Sequence, residues 1–189
     1  VTQTAGNSST ALATTAFVAT SFAPKASPTF TGTLSAAAIT ASGTITPNAT
    51  AGIVGTTGVN NAQAGSVGEY ITATGTAVSL VASTAKTITS ISLTAGDWDV
   101  EGNIYFTPAA TTPIYEAIAG ISTTTNVLPA IPLYTDTTGA GTSAQQQTAP
   151  APIQRINVSS TTTVYLIGEA NFATSTLTAT GIIQARRMR

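Results

Sequence analysis

The sequence predicts a mainly β protein in which a thin N-terminal segment with one short helix precedes an antiparallel β-sandwich. From Val67 onward, about eight strand-like runs follow one another at short spacing, and no helical periodicity separates them. In the clearest run, residues 98–106, apolar residues alternate with polar ones, which is typical of a strand with one buried face. The run 164–172 repeats this pattern. A sandwich built from such strands is most simply a jelly roll.

Each predicted strand is a short run enriched in β-branched, aromatic or other apolar residues. The predicted strands are 70–73, 77–82, 87–94, 98–106, 114–121, 153–158, 164–172 and 177–185. The stretch TDTTGAGTSAQQQTAPAP, residues 135–152, shows no apolar periodicity and is too long for an ordinary sandwich connection. We therefore expect it to be one long exposed loop.

The N-terminal third differs from the rest of the chain, so we expect a neck or shaft segment, residues 1–66, followed by a sandwich domain, residues 67–189. Hydroxyls at Ser8, Ser9 and Thr10 can cap a short helix over residues 9–22, which Pro24 ends. Thr/Ala/Ser runs broken by Gly and Pro follow it. These runs are typical of brief strands and turns without a core of their own.

Charge is scarce in this chain. Only 7% of the 189 residues are charged, far below the roughly 25% of ordinary soluble domains, whereas 42% are hydrophobic. Hydroxyl groups, mostly of Thr and Ser, replace charge as the contact with water. A β-rich chain with so little charge is poorly protected against association with its own copies, so we expect a defined oligomer.

The charge balance and the missing residue types weigh against several functions. A net charge of −1 does not suit an electrostatic nucleic-acid binder, and no apolar run approaches the roughly 18 residues of a membrane span. Cysteine and histidine are absent, which removes most zinc sites and the usual nucleophile–base pairs. We expect no cofactor, no nucleic-acid partner, no membrane insertion and no enzymatic activity. The first residue is Val rather than Met, so the chain is expected to be an expressed fragment, a processed form or the ordered end of something longer.

Two charged groups of residues suggest sites at first reading. Asp97, Asp99 and Glu101 resemble the opening of an EF-hand calcium loop, but its twelfth position would be Pro108, which offers no carboxylate. We expect a solvated strand face there and no metal. The Arg-rich end, residues 186–189, is expected to pair with local carboxylates or to face solvent, and binding of a polyanion is the weaker interpretation.

Three phrases of the sequence resemble bacteriophage tail-fibre proteins. STALATTAFV, residues 9–18, is similar to a segment of these proteins, and ASPTFTGT, residues 26–33, is similar to their spacer. LTAGDWDVEGNIYF, residues 93–106, resembles fibre tip domains whose sandwich is like that of the C1q and TNF families. The resemblance implies a homotrimeric structural virion protein, located in the tail fibre, that mediates attachment to the host cell surface.

The partners implied by the resemblance are further copies of this chain, other virion proteins on the N-terminal side, and a host surface glycan or protein. A capsid fibre or decoration protein is an alternative, and a polysaccharide-degrading tailspike tip is an alternative of another class. The host, the receptor and the attachment point on the particle stay open.

Candidate receptor contacts lie in and beside the predicted long loop. Gln145, Gln146 and Gln147 carry amides that can donate to and accept from sugar hydroxyls, and Tyr134 at the base of the loop can stack on a sugar ring. A merely tolerated surface loop or an inter-subunit arm is the alternative interpretation.

Candidate interface residues are apolar or aromatic and fall on strand faces opposite the predicted core. They are Tyr105, Tyr165, Ile167 and Ile182. Because such faces are polar in an ordinary monomer, we expect a neighbouring subunit to cover most of these side chains.

Overall fold

The computed structural model describes residues 33–45, 58–173 and 175–189. The chain divides into two compact units, Val1–Thr56 and Thr57–Arg189. In the first unit, residues 33–45 form neither helix nor strand and are exposed. The predicted helix 9–22 and most of the predicted neck lie outside the described residues. Among the described residues, no helix is long and apolar enough to cross a membrane.

The second unit is an antiparallel β-sandwich, and no helix occurs in its described residues. Its strands are β1 Tyr70–Ser79, β2 Lys86–Leu93, β3 Gly96–Pro108, β4 Ile114–Ser122, β5 Tyr134–Thr138, β6 Gln147–Val158, β7 Thr162–Phe172 and β8 Leu177–Arg187. They form two four-stranded sheets, β1-β8-β3-β6 (sheet 1) and β2-β7-β4-β5 (sheet 2). Successive strands alternate between the sheets over most of this unit, which gives the strand order of a jelly roll. The prediction of a mainly β sandwich is confirmed.

The core lies between the sheets and follows the predicted alternation. Trp98, Val100, Ile104 and Phe106 of β3 are all fully buried, as is the core-facing side of β7 except for the partly buried Phe172 at its end. Gly102 completes this face of β3, and a Cβ there would lie 2.8 Å from Leu166 Cδ1. The missing side chain therefore lets the two sheets pack closely at this point.

One difference from the predicted strands concerns the first of them. The runs 70–73 and 77–82 were expected as two strands, but β1 is continuous from Tyr70 to Ser79. Its pairing with β8 shifts between Gly75 and Val78, and Ala77 has a φ of 50°. A β-bulge after Gly75 thus keeps this edge strand continuous, although the sequence suggested a break there.

The prediction of a long loop over residues 135–152 was wrong. Strand β5 takes Tyr134–Thr138 and β6 begins at Gln147, so only residues 139–146 connect them. Ala149 and Ala151 point into the core, and Pro150 between them is tolerated because β6 is an edge strand. Ala and Pro carry little β propensity, so their alternation gave no strand signal.

The sandwich has two different ends. At one, which we call the entry end, β1 begins, β8 finishes, and the short connections β2–β3 and β6–β7 lie. At the other, the far end, lie the connections 80–85, 109–113 and 139–146 together with the β7–β8 turn. The antiparallel pairing fixes this arrangement, because each strand runs from one end to the other.

A buried arginine closes the core at the entry end. The guanidinium carbon of Arg187 lies 4.3 Å from the centroid of the Trp98 ring, and Arg187 Nε donates to Glu69 Oε2 over 2.9 Å. Its Nη1 donates to the Ala95 carbonyl over 2.8 Å, while Trp98 Nε1 donates to the Thr94 carbonyl over 3.0 Å. Cation–π stacking and hydrogen bonds thus satisfy a charge that is only 5% exposed.

Backbone geometry and the partner carboxylate both fit this arginine. Gly96 has a φ of +149°, and a Cβ there would lie 2.0 Å from Arg187 Nη1, so a side chain would displace the guanidinium. Burial raises the pKa of Glu69, but the hydrogen bonds from the Gly65 backbone and from Arg187 outweigh it and leave that pKa below its ordinary value. Glu69 is therefore held as a carboxylate.

Replacing the buried arginine should destabilise the sandwich far more than replacing its exposed neighbour. Arg187→Met leaves Glu69 buried without its cation, and we expect a loss of about 3–5 kcal/mol in the free energy of unfolding. The control Arg186→Met removes an exposed charge one residue away and should change it by less than about 0.5 kcal/mol. Urea unfolding at one fixed protein concentration measures both, and equal losses would contradict the role given to Arg187.

Candidate binding surfaces

The outward face of sheet 1 carries two adjoining concavities, of about 240 Å³ and about 230 Å³. Glu101 and Gln184 line both. Tyr70 Oη donates to Gln184 Oε1 over 2.7 Å, and Gln184 Nε2 donates to Glu101 Oε1. The amide of Gln184 is thus held at both ends by neighbours on β1 and β3.

Apolar side chains flank these concavities. Tyr105 and Ile182, on the same outward face, are each 41% exposed, and Ile153 and Met188 are 67% and 48% exposed. Two of these four, Tyr105 and Ile182, belong to the predicted interface set. A sheet face that leaves so many large apolar groups in water is a candidate interaction surface.

The chain itself covers the outward face of sheet 2. Ile167 is fully buried although it points away from the core, and its cross-strand partners are Thr87 and Gly120. Asn126 accepts from Thr87 N over 2.8 Å and donates to Thr87 Oγ1 over 3.0 Å. Pro129 lies over Gly120, where a Cβ would approach its Cδ to 2.8 Å. The β4–β5 connection, residues 123–133, therefore lies across this face.

The position of residues 123–133 over sheet 2 determines whether the predicted interface residues of β7 are accessible. Ile167 is buried within its own chain, so it is not available to a neighbouring subunit. Tyr165, two residues earlier on the same outward face, is half-buried. Of the four predicted interface residues, only Tyr105 and Ile182 remain broadly exposed, and both lie on sheet 1.

The prediction of a solvated strand face at the start of β3 was wrong for Asp97, because two arginines cover its carboxylate. Asp97 is 4% exposed, and its carboxylate accepts from Arg155 Nε and Nη2 over 2.8 and 2.7 Å and from Arg189 Nε over 2.9 Å. The hydrogen bond from Arg155 lowers the pKa of Asp97 despite burial. Arg187 and Arg189 pair with local carboxylates, as predicted for this chain end, and Arg186 is exposed.

A second group of acids lies on the outward side of sheet 2. Burial raises the pKa of Glu116, and the nearby carboxylates of Asp136 and Glu169 raise it further. Among the described residues, no group of acids is arranged to hold a metal ion. Glu116 is thus a partly buried acid whose charged form destabilises the fold.

The structure separates the predicted receptor residues. Tyr134 begins β5 and is paired across the sheet with Gly120, towards the entry end. Gln145 and Gln146 follow the opposite end of β5 and are exposed, while Gln147 begins β6 and is half-buried. Four further residues of β5 stand between Tyr134 and the far-end connection, so Tyr134 and the glutamines do not form one site.

The structure brings two other tyrosines to the connection 139–146. Tyr105 Oη donates to Gln146 Oε1, and the ring of Tyr115 contacts Gly141, where a Cβ would lie 3.3 Å from it. Tyr115 is 46% exposed. The sequence offers Tyr115 as one of five tyrosines that could stack on a sugar, but it favours a core-rim or subunit-interface role for Tyr115 and singles out Tyr134, because Tyr134 adjoins the predicted loop.

Glu116 and Asp97, whose pKa values are shifted in opposite directions, should respond to pH in opposite ways. The pKa of Glu116 is raised in the folded state, so its charge costs stability at neutral pH, and that cost disappears as the pH falls below about 4. Glu116→Gln should therefore raise the melting temperature at pH 7 and leave it unchanged in acid.

Asp97 provides the matched contrast. Its pKa is lowered in the folded state, so its contribution is present at neutral pH and is lost as the pH falls through the folded-state pKa. Asp97→Asn should lower the melting temperature at pH 7, and its deficit should shrink in acid. Thermal unfolding followed from about pH 3 to pH 8 measures both, and the same sign of change at pH 7 would contradict this assignment.

Comparison with known proteins identifies no family for this chain. No protein-family model matches the chain, and no curated protein matches it. A structure of infectious bursal disease virus Gx strain is similar at 12% identity and a TM-score of 0.41, over 64% of this chain and 32% of that chain. The VP2 subviral particle of infectious bursal disease virus is similar at 12% identity and a TM-score of 0.39, over 64% and 33%. The chain thus spans about a third of the length of each chain it resembles.

Proposed function

We propose that this chain is a structural virion protein, the C-terminal part of a homotrimeric phage tail fibre whose sandwich attaches the particle to the host surface. One observation carries the proposal: the two ends of the sandwich differ in structure and chemistry. Its entry end is closed by the buried Glu69–Arg187 ion pair, and its far end presents connections and exposed tyrosines. The phrases at residues 9–18 and 26–33, which resemble tail-fibre proteins, support the proposal.

Trimer formation would use the outward face of sheet 1. That face leaves Ile153, Ile182 and Met188 in water, and Tyr105 lies at its far-end margin beside Gln146, whereas the outward face of sheet 2 is covered by residues 123–133 of the same chain. Burying a large apolar side chain contributes roughly 1.5–3 kcal/mol, so a neighbouring copy on this face is strongly stabilised. A contact between two different patches closes into a ring when the rotation between copies allows it.

Attachment by such a trimer would be multivalent. Each copy presents one far end, all in the same direction if the copies are parallel, so weak single contacts combine into firm adhesion. A fibre or decoration protein on the capsid would use the same geometry. Antibody labelling of particles that carry the protein, viewed by electron microscopy, distinguishes a tail location from a capsid location.

The trimer can be tested with a pair of matched substitutions. The wild-type protein should scatter light as three copies of an 18.8 kDa chain. Ile182→Asp places a charge in the proposed interface and should shift the mass towards that of one folded chain, because an unpaired charge is costly to bury. Val81→Asp, at a position 68% exposed in a far-end connection, should leave the mass unchanged. A stable, folded wild-type monomer at micromolar concentration would contradict the proposed trimer.

Attachment can be tested on intact bacteria. The labelled protein should bind cells of the host and compete with particles for adsorption. Replacing residues 139–146 with a Gly-Ser segment of equal length should reduce cell binding by about tenfold or more while the trimer survives. The control replaces residues 159–161, the β6–β7 connection at the entry end, and should change nothing. Undiminished binding of the first variant would remove the far-end connection from the mechanism.

A further inference from the structure

The far end of the sandwich is free of charged residues in its connections. The β1–β2, β3–β4, β5–β6 and β7–β8 connections read LVASTA, AATTP, GAGTSAQQ and ATST, without one Asp, Glu, Lys or Arg. The nearest charged residues along the chain are Lys86, which begins β2, Glu116 in β4 and Asp136 in β5. The ion pairs of Arg155, Arg187 and Arg189 all lie at the entry end.

The connection 139–146 is fastened to the start of β4. Gly139 N donates to the Tyr115 carbonyl over 2.7 Å, Gly141 N donates to the Ile114 carbonyl over 3.0 Å, and Ala144 N donates to the Thr112 carbonyl over 3.2 Å. A β-bridge joins Pro113 to Ser143. A connection held by this many backbone contacts is largely preorganised, so a ligand would lose little affinity in ordering it.

Two tyrosines sit on this connection in different ways. The ring of Tyr115 rests against Gly141, which has a φ of +63° and no side chain to cover the ring, and nearly half of Tyr115 stays exposed. Tyr105 donates its hydroxyl proton to the oxygen of the Gln146 amide. That hydrogen bond fixes which way the amide faces and leaves its NH₂ group as the donor for a ligand.

We propose that Tyr115, Gln145 and Gln146 form a binding site for an uncharged saccharide, with Tyr105 as the residue that positions the Gln146 amide. This inference rests on the proposed attachment function. An exposed aromatic ring stacks on the apolar face of a pyranose, and amides donate to and accept from its hydroxyl groups. No cation stands in the connection that carries this site, and the exposed Lys86 lies on β2, at the opposite edge of sheet 2 from β5, so a sialic acid, a uronic acid or a phosphate finds no pairing partner here.

Binding that uses no charged groups should depend little on the salt concentration. Attraction between charged groups weakens as salt rises, whereas stacking and neutral hydrogen bonds are almost unaffected. Binding of the labelled protein to its host cells should therefore be nearly equal in about 50 mM and about 500 mM sodium chloride. Periodate, which cleaves the vicinal diols of sugars, should abolish binding, and protease treatment of the cells should not.

The probes for the sugar class are purified neutral and acidic oligosaccharides immobilised on an array. We expect the full-length protein to bind members of the neutral set, and Tyr115→Ala and Gln146→Ala to weaken that binding by about tenfold or more. Tyr105→Phe keeps the ring and removes only the hydroxyl, so it should weaken binding less than Gln146→Ala. Val81→Ala, at the same end and away from the site, is the matched control and should bind like the wild type.

The outcomes separate this inference from the function on which it rests. Cell binding that survives periodate and fails after protease treatment would keep the attachment function and overturn the saccharide in favour of a protein receptor. Selective binding to acidic glycans, or binding that falls steeply with salt, would overturn the uncharged class. If the protein binds no host cell at all, the attachment function itself fails.

Discussion

The stacking of Arg187 on Trp98 is the contact on which the entry end of the sandwich depends. It joins the first, third and last strands, because Glu69 precedes β1, Trp98 lies in β3 and Arg187 ends β8. Backbone hydrogen bonds reinforce the junction: Arg187 N donates to the Glu69 carbonyl, and Gly68 N donates to the Arg187 carbonyl, each over 2.9 Å. Residues far apart in sequence thus close the core where the chain enters and leaves it.

This junction also explains where the few charges of the chain are placed. Glu69, Asp97 and their arginine partners gather at the entry end, where burial and pairing give each charge a specific role. Away from the entry end, apart from Lys86 and the acids of sheet 2, the described surface depends mainly on hydroxyl and amide groups for its contact with water. Such a surface is soluble but offers little electrostatic repulsion between copies, so its apolar patches need assigned partners. Residues 123–133 provide one for sheet 2, and sheet 1 has none within the described part of its own chain.

The sequence predicted those parts of the fold in which large side chains alternate. The alternation was clearest in β3, where Trp98, Val100 and Ile104 are apolar and Asp99, Glu101 and Asn103 between them are polar. Strand β5 and the first half of β6 were missed, since Thr, Ala and Pro give almost no contrast between the two faces. That miss had a functional consequence: treating residues 135–152 as a loop placed Tyr134 beside the glutamines, although β5 carries it roughly 13 Å away along the strand.

Tertiary contacts, and not the alternation of apolar and polar residues, determine which outward-pointing side chains are buried. Ile167 and Ile182 follow the same rule in sequence, since both point outward from their strands, yet one is fully buried and the other is 41% exposed. The difference comes from residues 123–133, whose path across sheet 2 no local pattern indicated. The pairing of Tyr105 with Gln146 is equally non-local, because it depends on the register of β3 against β6.

The fastening of the far-end connection bears on how a low-charge tip could hold a surface. Multivalent attachment gains most when each site is rigid and all sites face one way, because a second contact then forms without further loss of conformational freedom. The backbone bonds from residues 139–144 to residues 112–115 give this rigidity without a larger core or a disulfide. Rigidity also makes the chemistry of a few side chains decisive, since the loop cannot rearrange to suit a different ligand. In such a tip, specificity would follow from which rings and amides stand on the connection, and exchange of those few residues would change the ligand while the sandwich stays the same.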